Sequence, residues 1–376
     1  MVKFTNAPLP SLRILTKAIF RKNFRGDSFL DPWRYDNHLT LELSRSAWSM
    51  QLITKYRLIR SGSAELNILV PSYFCNSSLA PIREMKVNLY FYPIMQNGEP
   101  DLGEISNILS EQKIDIVIGV HFFGNHVDFT KLSKLAMNFN TWFIEDCAHL
   151  LNLPKTTKMK SDFQIFSPHK FLAIPDGAIL SINKRIFKEI SEVEEFRNLH
   201  KKFVKDSSRF KSYIWVFKRI MQLGNIGIRL GIENFYKDTL INNSKEFFKP
   251  GMTPLSKALF LEMNLSFEEE NEKRKENAAV WKNILFERFP ASEVVFKDCC
   301  QKSVYLLGLK FSDENDLKEA LDWAKTKKYP VCTWPDLPEE VLHRKDFFKN
   351  SLELRNHCIF FHVHSSIRKK DIESSV

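Results

Sequence analysis

The chain has 376 residues, of which 44% are hydrophobic and 27% charged, with a formal net charge of +10. That length exceeds one ordinary core and that composition belongs to folded chains, so two domains are expected and a disordered or fibrous protein is excluded. Six Cys scattered along the chain, including the adjacent pair Cys299-Cys300, make no disulfide framework and suit a reducing compartment. Met1–Phe20 carries Lys3, Arg13, Lys17 and two prolines, which leaves no apolar core for export. The longest apolar-leaning stretch, Tyr213–Ile232, is broken by Lys218, Arg219 and Arg229, whereas a spanning helix needs about 20 largely uncharged residues. A cytoplasmic protein is expected.

Taken in chain order, Ser44-Arg45-Ser46-Ala47 opens a helix through Ile53, serine being a favoured cap. Asn67–Val70 is a short strand, and Ile82–Val87 leads into a second at Asn88–Tyr92. Asp101–Leu109 is helix, Ile114–Val120 strand and Phe129–Asn138 helix. Trp142–Ile144 and Phe163–Phe166 are apolar runs that suit fully buried parallel strands, followed by a strand at Ala178–Ile182. This alternation predicts an α/β fold with a mostly parallel sheet sandwiched by helices. Helical stretches then run from Lys184 to about Asp238, and Pro254–Phe286 forms one or two long helices. Val304–Phe311 is a strand, Glu314–Lys327 a helix and Cys358–Val363 a strand, which together make a smaller α+β domain. The boundary is placed between residues 1–245 and 246–376, with residues 1–30 free to pack on the smaller unit.

Two residues at predicted strand ends carry the chemistry. Lys170 closes the string Ile165-Phe166-Ser167-Pro168-His169-Lys170, 24 residues after Asp146 in Ile144-Glu145-Asp146-Cys147-Ala148-His149. Open α/β sheets bind ligands at the C-terminal ends of their strands. An acid and an amine there suit pyridoxal 5'-phosphate (PLP): the lysine bonds to the cofactor aldehyde, and the carboxylate keeps the pyridine nitrogen protonated. Taken singly, an aspartate after a strand is more often a turn residue and a lysine more often solvated.

The surrounding text resembles the DegT/DnrJ/StrS sugar-aminotransferase family, within the fold-type I PLP superfamily. Ile144–His149 is similar to its "hydrophobic-Glu-Asp-Ala-Ala-Gln/His" motif, and Ile165–Lys170 to its lysine segment. Pro175-Asp176-Gly177-Ala178 stands where many members have Gly-Glu-Gly-Gly; a branch reading "Leu-Arg-Lys-…-Pro-Asp-Gly-Gly" is closer, with His169 in place of its Arg. Leu69–Cys75, Val120–Gly124, Arg274–Asn277, Tyr329–Pro338 and Phe361–His364 resemble further family segments.

The resemblance implies a fold-type I PLP-transferase with a smaller C-terminal domain. Lys170 would be the catalytic lysine and base, Asp146 the partner of the ring nitrogen, and His149 a contact of the ring hydroxyl. Ser46 and Ala47 would offer backbone N–H groups to the cofactor phosphate at a helix start, and Ser167 a hydroxyl. That turn looks like the family's "Ser-Gly-Arg/Thr-Ala", with Arg45 in place of the glycine. Cys75, or its neighbour Phe74, would press on the ring face. The implied reaction moves an amino group from glutamate to a nucleotide-linked keto-sugar for surface polysaccharide or a secondary metabolite. Lys170 argues against the family's dehydratase branch, where a His replaces the lysine. A homodimer, each site completed by the partner chain, is implied.

Basic residues also cluster in Lys201–Arg219 among Phe203, Phe210, Tyr213, Trp215 and Phe217. Their spacing suits an amphipathic helix with a solvated face or a peripheral membrane contact, and without a recognition motif no nucleic-acid partner is expected. His362 and His364 would share a strand face, but with no third ligand near them no metal is expected. Two other readings stay open: a degenerate relative that binds PLP without turnover, and a basic scaffold on a membrane or nucleic acid.

Overall fold

The structure, a computed structural model, describes residues 4–21, 27–153, 160–224, 249–263, 266–296, 304–334 and 336–374. Its larger sheet has seven strands: β1 His38–Leu43, β2 Leu66–Pro71, β3 Val87–Tyr92, β4 Ile116–Val120, β5 Trp142–Cys147, β6 Phe163–Phe166 and β7 Ala178–Asn183. They lie in the order β1-β7-β6-β5-β4-β2-β3. Only β7 runs against its neighbours, β1 and β6; β2 to β6 pair in parallel. The central strands are buried along their whole length, five of five residues in β4 and four of four in β6, because helices cover both faces. This is the mostly parallel α/β sandwich anticipated from the alternation.

A second, antiparallel sheet has the order β10-β11-β9-β8, from β8 Glu293–Val294, β9 Leu306–Lys310, β10 Val331–Cys332 and β11 Cys358–His362. Its own core gathers Trp281, Leu285, Val304, Leu307, Tyr329 and Phe361. Phe4 joins that core, its ring edge-on to Tyr329 at 5.2 Å. The Leu12–Phe20 helix packs on the Pro254–Met263 helix. The expected boundary at 245/246 lies outside the described residues.

Some elements differ from the sequence reading and others refine it. β1 was not anticipated, although its alternating burial in His-Leu-Thr-Leu-Glu-Leu is a period-2 pattern. The helix after Ser44 runs Ser46–Ser61, well past Ile53, and stops at Gly62, whose φ of 63° ends helices without Cβ strain. Its cap position is Arg45, with no side-chain cap bond; the Ser44 hydroxyl donates to the Lys249 carbonyl instead. The Lys184–Asp238 stretch holds two helices, Ile190–Phe203 and Arg209–Leu223, its residues beyond 224 lying outside those described. The second exposes Phe210, Tyr213, Phe217 and Ile220. Pro254–Phe286 resolves into Pro254–Met263 and Phe267–Arg288, the latter capped by Ser266, which accepts from the Glu269 N–H. Among the described residues no helix is long and apolar enough to cross a membrane.

Candidate functional site

Parallel pairing sets the site. The register Val120↔Asp146 and Cys147↔Phe166 brings the ends of β4, β5 and β6 level, so the segments leaving these strands meet at one edge. β6 runs into a single helical turn, Pro168–Lys170, in which the Lys170 N–H donates to the Ser167 carbonyl at 2.9 Å. The Lys170 ammonium and the Asp146 carboxylate lie within electrostatic range of each other. Lys170 is half-buried, and burial lowers its ammonium pKa while Asp146 opposes the shift. Asp146 is 7% exposed, and one carboxylate oxygen accepts from the Ala148 N–H at 2.8 Å. Burial raises its pKa, and the Lys170 charge works against that.

His149 is buried between two rings, stacked on Phe123 at 5.0 Å and on Tyr305 at 4.7 Å. Its Nδ1 accepts from the Phe123 N–H at 3.2 Å. An accepting Nδ1 places the proton on Nε2, and burial with Lys170 nearby holds the pKa well below the ordinary histidine value. Phe123 carries a φ of 53°, a left-handed conformation that is costly for an aromatic residue. The Lys170 Nζ also lies 5.7 Å from the Tyr305 ring centre.

The residues foreseen for a phosphate fit one. Ser46 and Ala47 occupy the first turn of their helix, where backbone N–H groups lack intrahelical partners. The Ser167 hydroxyl is wholly buried and has no hydrogen-bond partner, a donor that a phosphate oxygen would satisfy. Cys75 and Phe74 separate. Phe74, 3% exposed, belongs to the core of the large sheet, whereas Cys75 faces the Lys170 charge and donates to the Asp336 carboxylate at 3.1 Å. Burial first, and then Asp336, pushes the Cys75 thiol up to about 11, so it stays protonated.

Several neighbours escaped the sequence reading. Tyr305 reaches the site from 135 positions beyond Lys170 with no local pattern to mark it, while Trp334 and Asp336 were read only as part of the family-like segment Tyr329–Pro338, without a site role. Arg274, read only as part of a family-like helix, forms a buried ion pair with Glu270 at 2.8 Å and donates to the Phe171 carbonyl at 2.7 Å. It thereby ties the lysine turn to the second sheet, where it also reaches the carbonyl of Tyr305. His121, Glu145 and Cys147 cluster on the other face of β5, with ligand-type atoms within 4.8 Å of one another. The polar atoms of two of the three are already engaged: Glu145 accepts from Ser161, Gln164 and the His121 ring, and His121 Nδ1 accepts from the Val127 N–H.

The sequence model of the DegT/DnrJ/EryC1/StrS aminotransferase family matches residues 59–376. No curated protein sequence matches the chain. Among solved structures, the Helicobacter pylori aminotransferase PseC, involved in the biosynthesis of pseudoaminic acid, superposes with a TM-score of 0.69 at 15% identity, covering 99% of this chain and 97% of that one. The aminotransferase TlmJ of Streptoalloteichus hindustanus gives 0.69 at 12% identity over 100% and 96%. The E. coli GDP-4-keto-6-deoxy-D-mannose-3-dehydratase with bound hydrated PLP gives 0.65 at 13% identity over 100% and 98%. At such identities the likeness is one of fold.

Proposed function

Because the chain belongs to the DegT/DnrJ/EryC1/StrS aminotransferase family and is a PLP-dependent enzyme, we propose that it moves an amino group from glutamate to a keto-sugar carried on a nucleotide. The observation that carries this reading is the meeting of Lys170 and Asp146 at one sheet edge, beside a buried Ser167 hydroxyl with no partner. When bound, PLP supplies a ring that takes up electrons from the carbon being deprotonated. Asp146 would hold the proton on the ring nitrogen, its charge-assisted bond strengthened by removal from water. His149, proton on Nε2, would donate toward the ring hydroxyl.

Lys170 would hold the cofactor and then, released, move a proton between donor carbon and cofactor. A base must be neutral for part of the cycle, and burial lowers the Lys170 pKa in that direction. Ser46, Ala47 and Ser167 would bind the phosphate, and Cys75 would meet the ring face. A lysine at this place, rather than the histidine of the dehydratase branch, favours amine transfer. The relatives' printed roles, sugar modification among them, support a sugar substrate, and the net charge of +10 suits a diphosphate-bearing one. We further propose a homodimer in the cytoplasm, and a division into a PLP-binding unit, 1–245, and a smaller unit, 246–376.

An absorbance titration tests the reading. Wild type with PLP is expected to show a visible band absent from Lys170→Ala and bleached by glutamate. No band in wild type would sink it; a band that glutamate leaves unchanged would remove the proposed donor.

A further inference from the structure

We propose that Arg45 is itself a ligand of the cofactor phosphate, supplying a guanidinium where the family's turn has a glycine. This deepens the reading above and rests on it.

The substitution leaves the backbone unstrained. Arg45 has φ −146° and ψ 150°, an extended conformation open to any residue, so the turn does not need glycine and the change is one of side chain alone. That side chain folds toward the loop after the lysine. Nη1 donates to the Ser44 carbonyl at 3.2 Å and Nη2 to the Pro175 carbonyl at 3.0 Å, five residues past Lys170. The same loop is fastened to the turn by the Gly177 N–H, which donates to the Ser44 carbonyl at 2.8 Å. The guanidinium therefore shares one small volume with the first turn of the Ser46–Ser61 helix and with the Ser167–Lys170 segment.

The charges facing it favour an incoming anion. Lys170 and His169 both lie close enough to feel the Arg45 charge, and His169 is held well below its ordinary pKa by burial and by Arg45. Asp176 is the acid that acts on Arg45. One oxygen of that carboxylate accepts from the Thr253 N–H at 3.0 Å, and the other is buried without a partner, so Arg45 does not satisfy it. Burial, only partly offset by Asp176, lowers the guanidinium pKa to about 10. A half-buried cation held by carbonyls and faced by a second cation attracts a dianion, and the place for one lies beside Ser46, Ala47 and the partnerless Ser167 hydroxyl. Five N–H donors in a planar fork suit phosphate oxygens better than a lysine would.

The test compares two probes, PLP and phosphate-free pyridoxal, by equilibrium absorbance titration of cofactor-stripped protein. In Arg45→Met, PLP affinity is expected to fall about tenfold or more, the loss of one charged hydrogen bond, while pyridoxal affinity stays unchanged. The double variant Arg45→Met/Asp176→Asn removes both charges, so it controls for a buried acid left unpaired. It is expected to fold as wild type and to bind PLP as weakly as the single variant. An unchanged PLP affinity, an equal fall for both probes, or recovery of PLP binding in the double variant would each overturn the proposal and leave Arg45 as a counter-charge to Asp176. Wild type that binds neither probe would instead overturn the premise, the PLP site.

Discussion

Glu145 and Asp146 are neighbours on β5 and share burial, yet they stand in opposite electrostatic conditions on the two faces of the sheet. Glu145 has three side-chain donors, from His121 at 2.8 Å, Ser161 at 2.9 Å and Gln164 at 2.8 Å. Burial alone would raise its pKa, but those bonds bring it below the ordinary value. Asp146 accepts instead from a backbone donor, the Ala148 N–H, and its pKa is raised. The fold has completed one carboxylate and left the other open. On the function proposed above, Glu145 serves the fold and Asp146 is held for a ligand, and partner count, more than burial, separates the two.

Substitutions put that contrast to the test. The largest effect is expected at the amine facing Asp146: Lys170→Ala should lower amine transfer about 10⁴-fold, measured in single turnovers with glutamate, with little change in the urea midpoint. Next, Asp146→Asn should keep the fold and lower the rate roughly 10²–10³-fold. A rate within a few-fold of wild type would mean that Asp146 does not serve the ring nitrogen. Glu145→Ala should do the reverse. Three donors lose their acceptor, so stability should fall by about 3 kcal/mol, while turnover per folded molecule changes little.

Acid titration separates the pair by sign. The folded pKa of Glu145 lies below its unfolded value, so its stabilisation is present at neutral pH and lost as pH falls through the folded value. The stability gap between wild type and Glu145→Gln should therefore narrow below about pH 4. Asp146 is raised, so its ionised form costs stability at neutral pH until pH falls through its folded value. Cofactor-free Asp146→Asn should accordingly be no less stable than wild type at pH 7. The smallest effect belongs to an exposed acid, Asp31, 2.6 Å from Arg34: Asp31→Asn should shift stability by no more than about 0.5 kcal/mol.

The sequence disclosed whatever depends on short stretches of chain. Lys170 and Asp146 each end an apolar run, and strand polarity places such ends at one edge, so their meeting was legible. β1 was hidden because only three of its six residues are buried, a weaker signal than the continuous runs of β4 and β6. The Asn76–Arg83 helix was obscured by Pro81, which lies inside it. The choice between Phe74 and Cys75 could not be made from sequence, because it depends on Asp336. That side chain accepts from the Cys75 thiol and the Ser77 N–H, both at 3.1 Å, and so fixes which residue faces the lysine. The site roles of Tyr305 and Trp334 were hidden for the same reason: they reach His149 only once the second sheet has docked.

Arg274 has a consequence for the order in which the molecule is made. The carbonyl of Phe171, next to the lysine, is held by a guanidinium 103 positions later in the chain. On the ribosome, every strand of the large sheet is synthesised before that guanidinium emerges. The nascent protein can thus assemble its sheet early, while the lysine turn waits for its tether. A chain released before residue 274 would keep Lys170 and Asp146 but lack the brace on the turn between them and the second sheet.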